Sequence, residues 1–534
     1  MLFLASLSLS LLAVLSTAAD SEEYIVSTAY TSYLGIRNTT YTNSVAFLGV
    51  PYAEPPIGAL RFRAPKPLNY TRVKEEDAGK VQEVVEYPTF CVQASWGLGD
   101  EGGAGTEDCL KVNIWKPVGA KAGDNLPILF YIHGGGYVFG NPEAYPFDHW
   151  IHQSPNFVVV SVYYRLAAFG FLPTSDPEDL NAGLLDQIEA LRWVKRNIAA
   201  WGGDPEKVTI VGESAGGSAV QLLLTASYEE NEEPLFRAAI AQSVWRVPVP
   251  RVEDQLPLYE FFVGRLGCQV DDTDCLRNAT VEDVARAQDA AVLGSFDGPY
   301  NTFHPVVDGQ VITEYPTKVL LQERAKNVRL IVGATSNETD VYGTNLTETF
   351  LRTWPAMGVK DVEDVLALYP EEDFESEDQR FQVATGESLL LCAREIVAEN
   401  HSNLVPVWAY RYNEPNPTLN TTVVTHAAEI WWMHLGVGGG FNGTVTFTPL
   451  TSDQTAFAQE LIAYWISFVR EGDPNARRLP GSPFWPEYQS SREVEEKKRI
   501  VLQKSGDGSH TEDEPWDELE RCKVIAGKAE VMQN

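Results

Sequence analysis

The sequence predicts an α/β protein built on a central, mostly parallel sheet that is flanked by helices. Short apolar runs rich in β-branched residues alternate with helical patterns in the first half, and similar runs recur further along. This order is typical of parallel sheets, because a helical crossover carries the chain back to the end of the sheet where the previous strand began, so the next strand runs in the same direction. No internal repeat and no long Pro/Gly/Ser linker divides the 534 residues. We therefore expect residues 20–534 to form one domain with elaborations.

The predicted elements follow in chain order. Strands are predicted at 126–132, 157–163, 208–211, 238–242, 328–332 and 405–411, with a helix at 186–198 between the second and third strands. Residues 251–298 and 345–387 have helical patterns and are predicted to be helical insertions. The segment 506–520 is polar and acidic, which is typical of a solvated surface.

The chain is strongly acidic. It has 41 Lys and Arg residues against 74 Asp and Glu residues, a formal net charge of −33. A surface with this field repels phosphate backbones and anionic lipid, so we expect no nucleic acid partner. Hydrophobic residues make up 44% of the chain, which is enough for a large core.

The N-terminus indicates export. An apolar run from Leu2 to Leu15 is followed by small residues and Asp20, which is the pattern of a signal peptide over residues 1–19. Eight N-x-Ser/Thr sequons agree with glycosylation on a secretory route. No later apolar stretch is long enough to span a bilayer, so stable membrane insertion is not expected. We expect a secreted, extracellular glycoprotein.

Six cysteines are too few for a disulfide scaffold, but their even number permits pairs in an exported protein. The pairs whose disulfides would close short loops are Cys91–Cys109 and Cys268–Cys275. Pairing of Cys392 with Cys522 stays open at this point.

The candidate nucleophile is Ser214. The predicted strand 208–211 runs into a G-x-S-x-G motif from Gly212 to Gly216, and a helical sequence rich in small residues and leucine follows. In this context the serine occupies a strained turn that exposes its hydroxyl at the carboxyl edge of the sheet.

A serine hydroxyl becomes a good nucleophile when a histidine accepts its proton. Proteins with this motif have the chain order serine, acid, histidine, which leaves His401, His426, His434 and His510. His426 is the best candidate, because it lies at a loop-to-helix junction after a strand. His401 is expected to be exposed to solvent, and His434 is expected to pack or make a polar contact near the pocket. His510 lies in the acidic tail.

The acid that orients this histidine is expected on the loop after the strand 328–332. That loop offers Glu338 and Asp340. Position along the chain does not choose between them.

A glycine-rich segment, His133-Gly134-Gly135-Gly136, directly follows the strand 126–132. Glycines at this place let backbone N–H groups turn toward a developing oxyanion. A phosphate-binding loop is disfavoured, because neither G-x-G-x-x-G nor a P-loop lysine is present. His149 and His152 have a spacing that permits zinc, but no set of Cys or carboxylate ligands completes the site. No metal or cofactor is therefore expected.

Several blocks carry a family resemblance. Residues 47–62 contain Phe-Leu-Gly-Val-Pro-Tyr-Ala-Glu-Pro-Pro, residues 107–113 read Glu-Asp-Cys-Leu-Lys-Val-Asn, and further blocks lie at 182–187, 201–216 and 472–475. Together they resemble the type B carboxylesterase family, the α/β-hydrolases that include cholinesterases and large fungal lipases. The resemblance covers nearly the whole mature chain and implies an α/β-hydrolase fold with helical insertions.

The resemblance also implies roles for single residues. Ser214 matches the family nucleophile, and Gly135, Gly136 and Ala215 match the oxyanion-hole donors. His426 matches the family histidine, which also precedes an acidic residue by three positions.

The same resemblance selects Glu338 over Asp340, because Glu338 lies five residues after the glycine that ends the strand. The family usually has glycine after this acid, whereas this chain has Thr339. Thr339 also creates a sequon at Asn337, which we expect to be too enclosed to carry sugar.

Structural pairs follow from the resemblance as well. It implies salt bridges Arg61–Glu107 and Arg165–Asp186, and disulfides Cys91–Cys109 and Cys268–Cys275.

The resemblance implies a secreted serine esterase that cleaves small-molecule carboxylic esters through a Ser-His-Glu triad and an acyl-enzyme. The alternatives are an interfacial lipase and a catalytically silent binding or adhesion member of the family. The oligomeric state and the natural ester stay open.

Overall fold

The computed structural model describes residues 24–97, 103–174, 176–227, 233–339, 343, 345–488 and 497–534. The predicted signal peptide, residues 1–19, and Asp340 lie outside the described residues. The strands of the described residues are β1 (Ile25–Ser27), β2 (Ser32–Leu34), β3 (Ile36–Arg37), β4 (Ser44–Pro51), β5 (Val81–Glu83), β6 (Lys111–Pro117), β7 (Leu126–Ile132), β8 (Val158–Val162), β9 (Gly203–Glu213), β10 (Ala238–Gln242), β11 (Arg329–Thr335), β12 (Val407–Tyr412), β13 (Val437–Gly439), β14 (Val445–Phe447), β15 (Lys498–Leu502) and β16 (His510–Asp513).

Eleven of these described strands form one large sheet in the order β16-β15-β12-β11-β10-β9-β7-β8-β6-β4-β3. The neighbours from β8 through β15 pair in parallel, while β6, β4 and β3 at one edge and β16 at the other pair antiparallel. The predicted mostly parallel sheet is confirmed. Strands β1, β2 and β5 form a small separate sheet, and β13 and β14 form a hairpin.

The α-helices follow the strands and cover the sheet. In chain order they are α1 (Tyr70–Asp77), α2 (Asp148–Gln153), α3 (Ala167–Phe171), α4 (Ala182–Asn197), α5 (Ala215–Thr225), α6 (Val252–Arg265), α7 (Thr273–Asn278), α8 (Val281–Ala290), α9 (Pro316–Leu321), α10 (Leu346–Thr353), α11 (Val359–Leu366), α12 (Glu377–Gly386), α13 (Cys392–His401), α14 (Ala428–Met433), α15 (Ser452–Glu471), α16 (Trp516–Gly527) and α17 (Ala529–Met532).

The predicted elements agree with the structure at most positions. The bounds of β7 and β10 match the prediction, and the other predicted strands are present with ends shifted by a few residues. The largest difference is β9, which begins at Gly203 rather than 208. Helices α6 to α8 and α10 to α12 occupy the two predicted helical insertions.

Strand β7 explains why both faces of the sheet are covered. Its side chains alternate between two apolar clusters, because successive residues of a strand point to opposite faces. Ile128, Phe130 and Ile132 belong to the larger cluster, whereas Leu129 and Tyr131 belong to the smaller one. All five are buried, as expected for a parallel strand with helices on both sides.

The segment 506–520, predicted to be a solvated surface, is exposed or partly exposed at 13 of its 15 residues, and the two exceptions are Glu514 and Glu518. Part of it forms the edge strand β16, and the segment that follows enters a buried ion network. Arg499 lies 2.5 Å from Glu514 and 2.8 Å from Glu518, and Arg394 pairs with the same two carboxylates. Burial of Glu514 and Glu518 is explained by the two buried arginines, which need carboxylate partners.

Three disulfides join Cys91 to Cys109, Cys268 to Cys275, and Cys392 to Cys522. The third bond, which the sequence left open, ties α13 to α16. Among the described residues, no helix combines the length and apolar character needed to cross a bilayer.

Removing the Cys392–Cys522 bond is expected to destabilise the protein more than removing the Cys268–Cys275 bond. The first closes a loop of 130 residues and the second a loop of 7 residues. In the chain-entropy model these loops correspond to about 5 and about 2 kcal/mol of unfolding free energy. Paired alanine variants can be compared by thermal unfolding at one scan rate. Equal shifts of the midpoint would contradict the loop-length argument.

Candidate active site

Ser214 occupies the turn between β9 and α5. Its backbone has φ 60° and ψ −122°, a conformation that non-glycine residues rarely adopt. The turn is held because Ser214 N–H donates to Gln242 O at 3.0 Å. A Cβ on Gly216 would lie 2.1 Å from Ile132 O, so only glycine allows this close approach. The strained turn predicted from the motif is present, and the serine side chain is partly exposed.

The glycine-rich loop after β7 lies beside this turn. Gly135 and Gly136 have φ values of 104° and 62°. Among the described residues, the N–H groups of Gly135, Gly136 and Ala215 donate no hydrogen bond within the protein. These donors are therefore available to a ligand. His133, which precedes the loop, is buried, and burial lowers its pKa to about 4, so it contributes as a neutral ring.

Ser214, His426 and Glu338 form a hydrogen-bonded chain. His426 Nε2 lies 2.8 Å from Ser214 Oγ, and His426 Nδ1 lies 2.7 Å from Glu338 Oε2. The structure thus brings together the three residues that the sequence proposed from separate loops. Asp340, the alternative acid, lies outside the described residues.

Glu338 is held by two further donors. The Ser243 hydroxyl and the Thr335 N–H each donate to Glu338 Oε1 at 2.7 Å. Sequence reasoning missed the role of Ser243, because nothing local links it to a carboxylate 95 residues away. Thr339 stands where the family usually has glycine, and its φ is not positive, so the backbone here does not require glycine. The Thr339 hydroxyl donates to Gln382 O at 2.9 Å. Asn337 is exposed, so the expectation that it is enclosed is wrong.

Two more buried glutamates surround the histidine. Glu213 Oε1 lies 3.3 Å from His426 Nε2, and Glu429 accepts a hydrogen bond from the Tyr410 hydroxyl at 3.1 Å. Burial favours the neutral imidazole, but the charge of Glu213 and the hydrogen bond and charge of Glu338 outweigh it and raise the pKa of His426 to about 9. Burial raises the pKa of Glu213 to about 8, opposed by His426. The site therefore favours a protonated imidazole.

The other candidate histidines occupy different places. His401 is fully buried and its Nε2 lies 2.8 Å from Val328 O, so the prediction of a wet surface is wrong. His434 is buried among aromatic rings and its Nδ1 contacts Pro146 O, which agrees with a packing role. His149 is buried, whereas His152 and His510 are exposed.

The structural pairs implied by the resemblance are present. Arg61 Nε lies 2.6 Å from Glu107, and Arg165 Nη2 lies 2.7 Å from Asp186 in a buried, bidentate pair.

Trp96 lies where the first disulfide loop meets the oxyanion loop. Its side chain is 41% exposed, and a Cβ on Gly136 would lie 2.2 Å from its ring. The ring also packs against Phe139 and Trp245. Trp96 therefore both packs the loop and forms part of the site's rim.

The chain matches the carboxylesterase family model over residues 22–512. It is 30% identical to para-nitrobenzyl esterase of Bacillus subtilis (strain 168) over 480 residues, which cover 86% of this chain and 92% of that protein. It is 28% identical to the cocaine esterase of Homo sapiens over 482 residues, covering 82% and 81% of the two chains.

Solved structures give the same result. The Aspergillus niger EstA structure matches with a TM-score of 0.80 and 28% identity, covering 96% of this chain and 99% of that one. The Geobacillus stearothermophilus carboxylesterase EST55 at pH 6.2 matches with a TM-score of 0.73 and 29% identity, covering 93% and 99%.

The pH dependence of Ser214 labelling tests the charges around His426. Only the neutral imidazole can accept a proton, so labelling by a phosphonate ester should rise with pH through the pKa of His426. Because this pKa is raised, the midpoint should lie above the ordinary value of 6.5.

Glu213→Gln removes one of the charges that raise this pKa, so its midpoint should move to lower pH. Glu206→Gln changes an exposed glutamate of the same strand and serves as the control. Coinciding midpoints in Glu213→Gln and the wild type would rule out Glu213 as a cause of the shift.

Proposed function

The chain belongs to the carboxylesterase family and is a carboxylic ester hydrolase, and we propose that it acts through Ser214, His426 and Glu338. The observation that carries this proposal is the continuous hydrogen-bonded chain from Ser214 Oγ through His426 to Glu338. The available N–H groups of the oxyanion loop and of Ala215 support it independently.

In the proposed acylation, His426 Nε2 takes the hydroxyl proton while Ser214 Oγ attacks the ester carbonyl carbon. The carbonyl oxygen becomes an oxyanion that the N–H groups of Gly135, Gly136 and Ala215 stabilise. Glu338 stays ionised, orients the ring and balances the imidazolium charge. When the tetrahedral intermediate collapses, the C–O bond to the alcohol breaks and His426 returns the proton to the leaving alcohol.

Deacylation repeats these steps with water. His426 takes a proton from the attacking water, the acid product leaves, and the proton returns to Ser214 Oγ. The side chains present supply each proton transfer, so the proposed mechanism uses no metal or cofactor.

We further propose that the protein is secreted as a glycoprotein after removal of residues 1–19, and that residues 20–534 form one catalytic domain. The three disulfides support an oxidising compartment. The acidic surface supports small-molecule esters rather than nucleic acid as partners.

The non-enzymatic alternative is a binding or adhesion protein that has lost catalytic activity. A member that has lost its chemistry has no reason to keep three available oxyanion donors, a strained serine turn and an aligned histidine together. A burst of product from a chromogenic acetate ester, with stoichiometry near one per chain, would decide for the esterase.

Ser214→Ala and His426→Ala are each expected to lower kcat by roughly 10⁴-fold or more, because triad residues act as a unit. Glu338→Gln should be severely impaired and Asp340→Asn only mildly. The measurements are steady-state kinetics on a soluble acetate ester and thermal unfolding, with the exposed His152→Ala as control. Near-wild-type turnover in the serine or histidine variant would disprove the mechanism.

An open site is expected rather than a lipid-activated one. Residues 92–106, between Cys91 and Cys109, include five glycines and few apolar residues, too little for an amphipathic flap with a lipid-binding face. We therefore expect turnover of soluble short to medium acyl esters, weak activity on long-chain triglyceride emulsions, and no jump in rate at the substrate's solubility limit. Rates measured across that limit test this, and a sharp rise there would assign the protein as a lipase.

A further inference from the structure

A cavity of about 710 Å³ lies beside the oxyanion loop. We call it the aromatic chamber and define it by six of its lining residues: Trp96, Trp245, Phe296, Tyr300, His304 and Leu389. Its volume is within the range of small-molecule sites, and its wall is mostly aromatic and aliphatic. The charged lining residues, Asp297 and Arg352, are exposed, so they belong to the mouth of the chamber.

Two lining residues of the chamber contact the nucleophile turn and the oxyanion loop. Trp245 N–H donates to Ser214 O at 3.4 Å, and the Trp245 carbonyl accepts from the Ser218 hydroxyl. Trp96 packs directly against Gly136, and the Trp96 and Trp245 rings lie 5.5 Å apart. One wall of the chamber is therefore continuous with the nucleophile turn and the oxyanion loop.

The chamber lies on the acyl side of the ester. His426 must return its proton to the leaving oxygen, so the alcohol group has to face the segment that carries His426. No described residue of that segment, 421–434, lines the chamber. The group that remains bonded to Ser214 after the alcohol leaves is thus the one that reaches the chamber.

The wall suits a planar ring. Trp245 meets Trp96 at 52° and His304 at 82°, with centroids 5.5 and 5.4 Å apart. Such a wall offers edges and faces to a bound ring, and aromatic pairs in these geometries gain energy beyond the area they bury. A flexible alkyl chain gains only the burial.

His304 supplies a polar atom in this wall. Burial lowers its pKa to about 4, so the ring is neutral at ordinary pH. Its Nε2 lies 3.0 Å from Thr302 Oγ1, and no described residue forms a hydrogen bond with its Nδ1. Nδ1 donates or accepts according to the tautomer. A phenolic hydroxyl does both, so it fits either state of this histidine.

We propose that this enzyme prefers esters whose acyl group ends in a hydroxyaryl ring, with the ring packed against Trp245 and its hydroxyl hydrogen-bonded to His304 Nδ1. The proposal rests on the proposed function, because it places the acyl group relative to Ser214 and His426. It makes Trp245 and His304 specificity-determining residues.

The test compares kcat/KM of the full-length enzyme for methyl esters of three acids: hexanoic, 3-phenylpropanoic and 3-(4-hydroxyphenyl)propanoic acid. The phenyl ester should exceed the hexanoate by roughly tenfold, from ring packing. The hydroxyl should add a further gain of roughly three- to tenfold, the net effect of one neutral hydrogen bond. Ratios are taken within one protein sample, so the fraction of folded enzyme cancels.

Two variants separate the contributions. His304→Phe keeps an aromatic wall without the polar atom, so the hydroxyphenyl-to-phenyl ratio should fall to about 1 or below, as expected for loss of that hydrogen bond, while the phenyl-to-hexanoate ratio is kept. Trp245→Leu should reduce the phenyl-to-hexanoate ratio. Trp516→Ala removes a tryptophan that is 72% exposed and lines a different cavity, so all ratios should be unchanged.

A hexanoate rate equal to or above the phenyl rate would overturn the aryl preference. An unchanged hydroxyl ratio in His304→Phe would overturn the role of His304. Phenyl esters of acetic acid carry the ring on the alcohol, and loss of their activity in Trp245→Leu to the same extent would overturn the acyl placement. Failure of the wild type to give a burst with acetate esters would instead disprove the proposed function itself.

Discussion

The site depends on the turn that holds Ser214 at φ 60° and ψ −122°. A non-glycine residue in such a conformation costs roughly 1–3 kcal/mol, which the surrounding structure has to offset. The offset comes from backbone packing: Gly216 lies against Ile132 O, and the N–H of Ser214 is tied to the end of β10. Because β7, β9 and β10 are adjacent parallel strands, the same packing positions the oxyanion loop beside the serine.

The sheet order explains how distant residues meet. Ser214 follows β9, Ser243 follows β10, and Glu338 lies after β11, three neighbouring strands. The carboxyl ends of parallel strands open at one edge, so their loops converge there. His426 comes from the chain after β12, the next strand. Ser243, Glu338 and His426 therefore reach Ser214 from the ends of successive strands. The helices pack on the faces of the sheet and leave this edge open.

The electrostatics of the site set its protonation. Three buried glutamates, Glu213, Glu338 and Glu429, lie around a single histidine, in a protein of net charge −33. Burial raises the pKa of Glu213 and that of Glu429, and the positive charge of His426 opposes this in both cases. The same arrangement that stabilises the imidazolium formed during proton transfer therefore also raises the pKa of the resting histidine. In the proposed mechanism, the negative charge that stabilises the imidazolium in the transition state also keeps His426 protonated, and so inactive as a base, at low pH.

The sequence by itself determined the strands and helices and the candidate catalytic residues, because these depend on local patterns. Apolar runs located β7 and β10, and the strand-to-helix position of G-x-S-x-G located Ser214. Chain order narrowed the candidate histidines to four, the loop-to-helix position favoured His426, and the resemblance selected Glu338 over Asp340. Sequence reasoning failed where contacts between distant residues decide whether a side chain is buried. His401 packs against Val328, and Glu514 and Glu518 are buried against two arginines. Ser243 and the aromatic chamber likewise required the tertiary structure, since their partners lie far away in the chain and only the sheet brings them together.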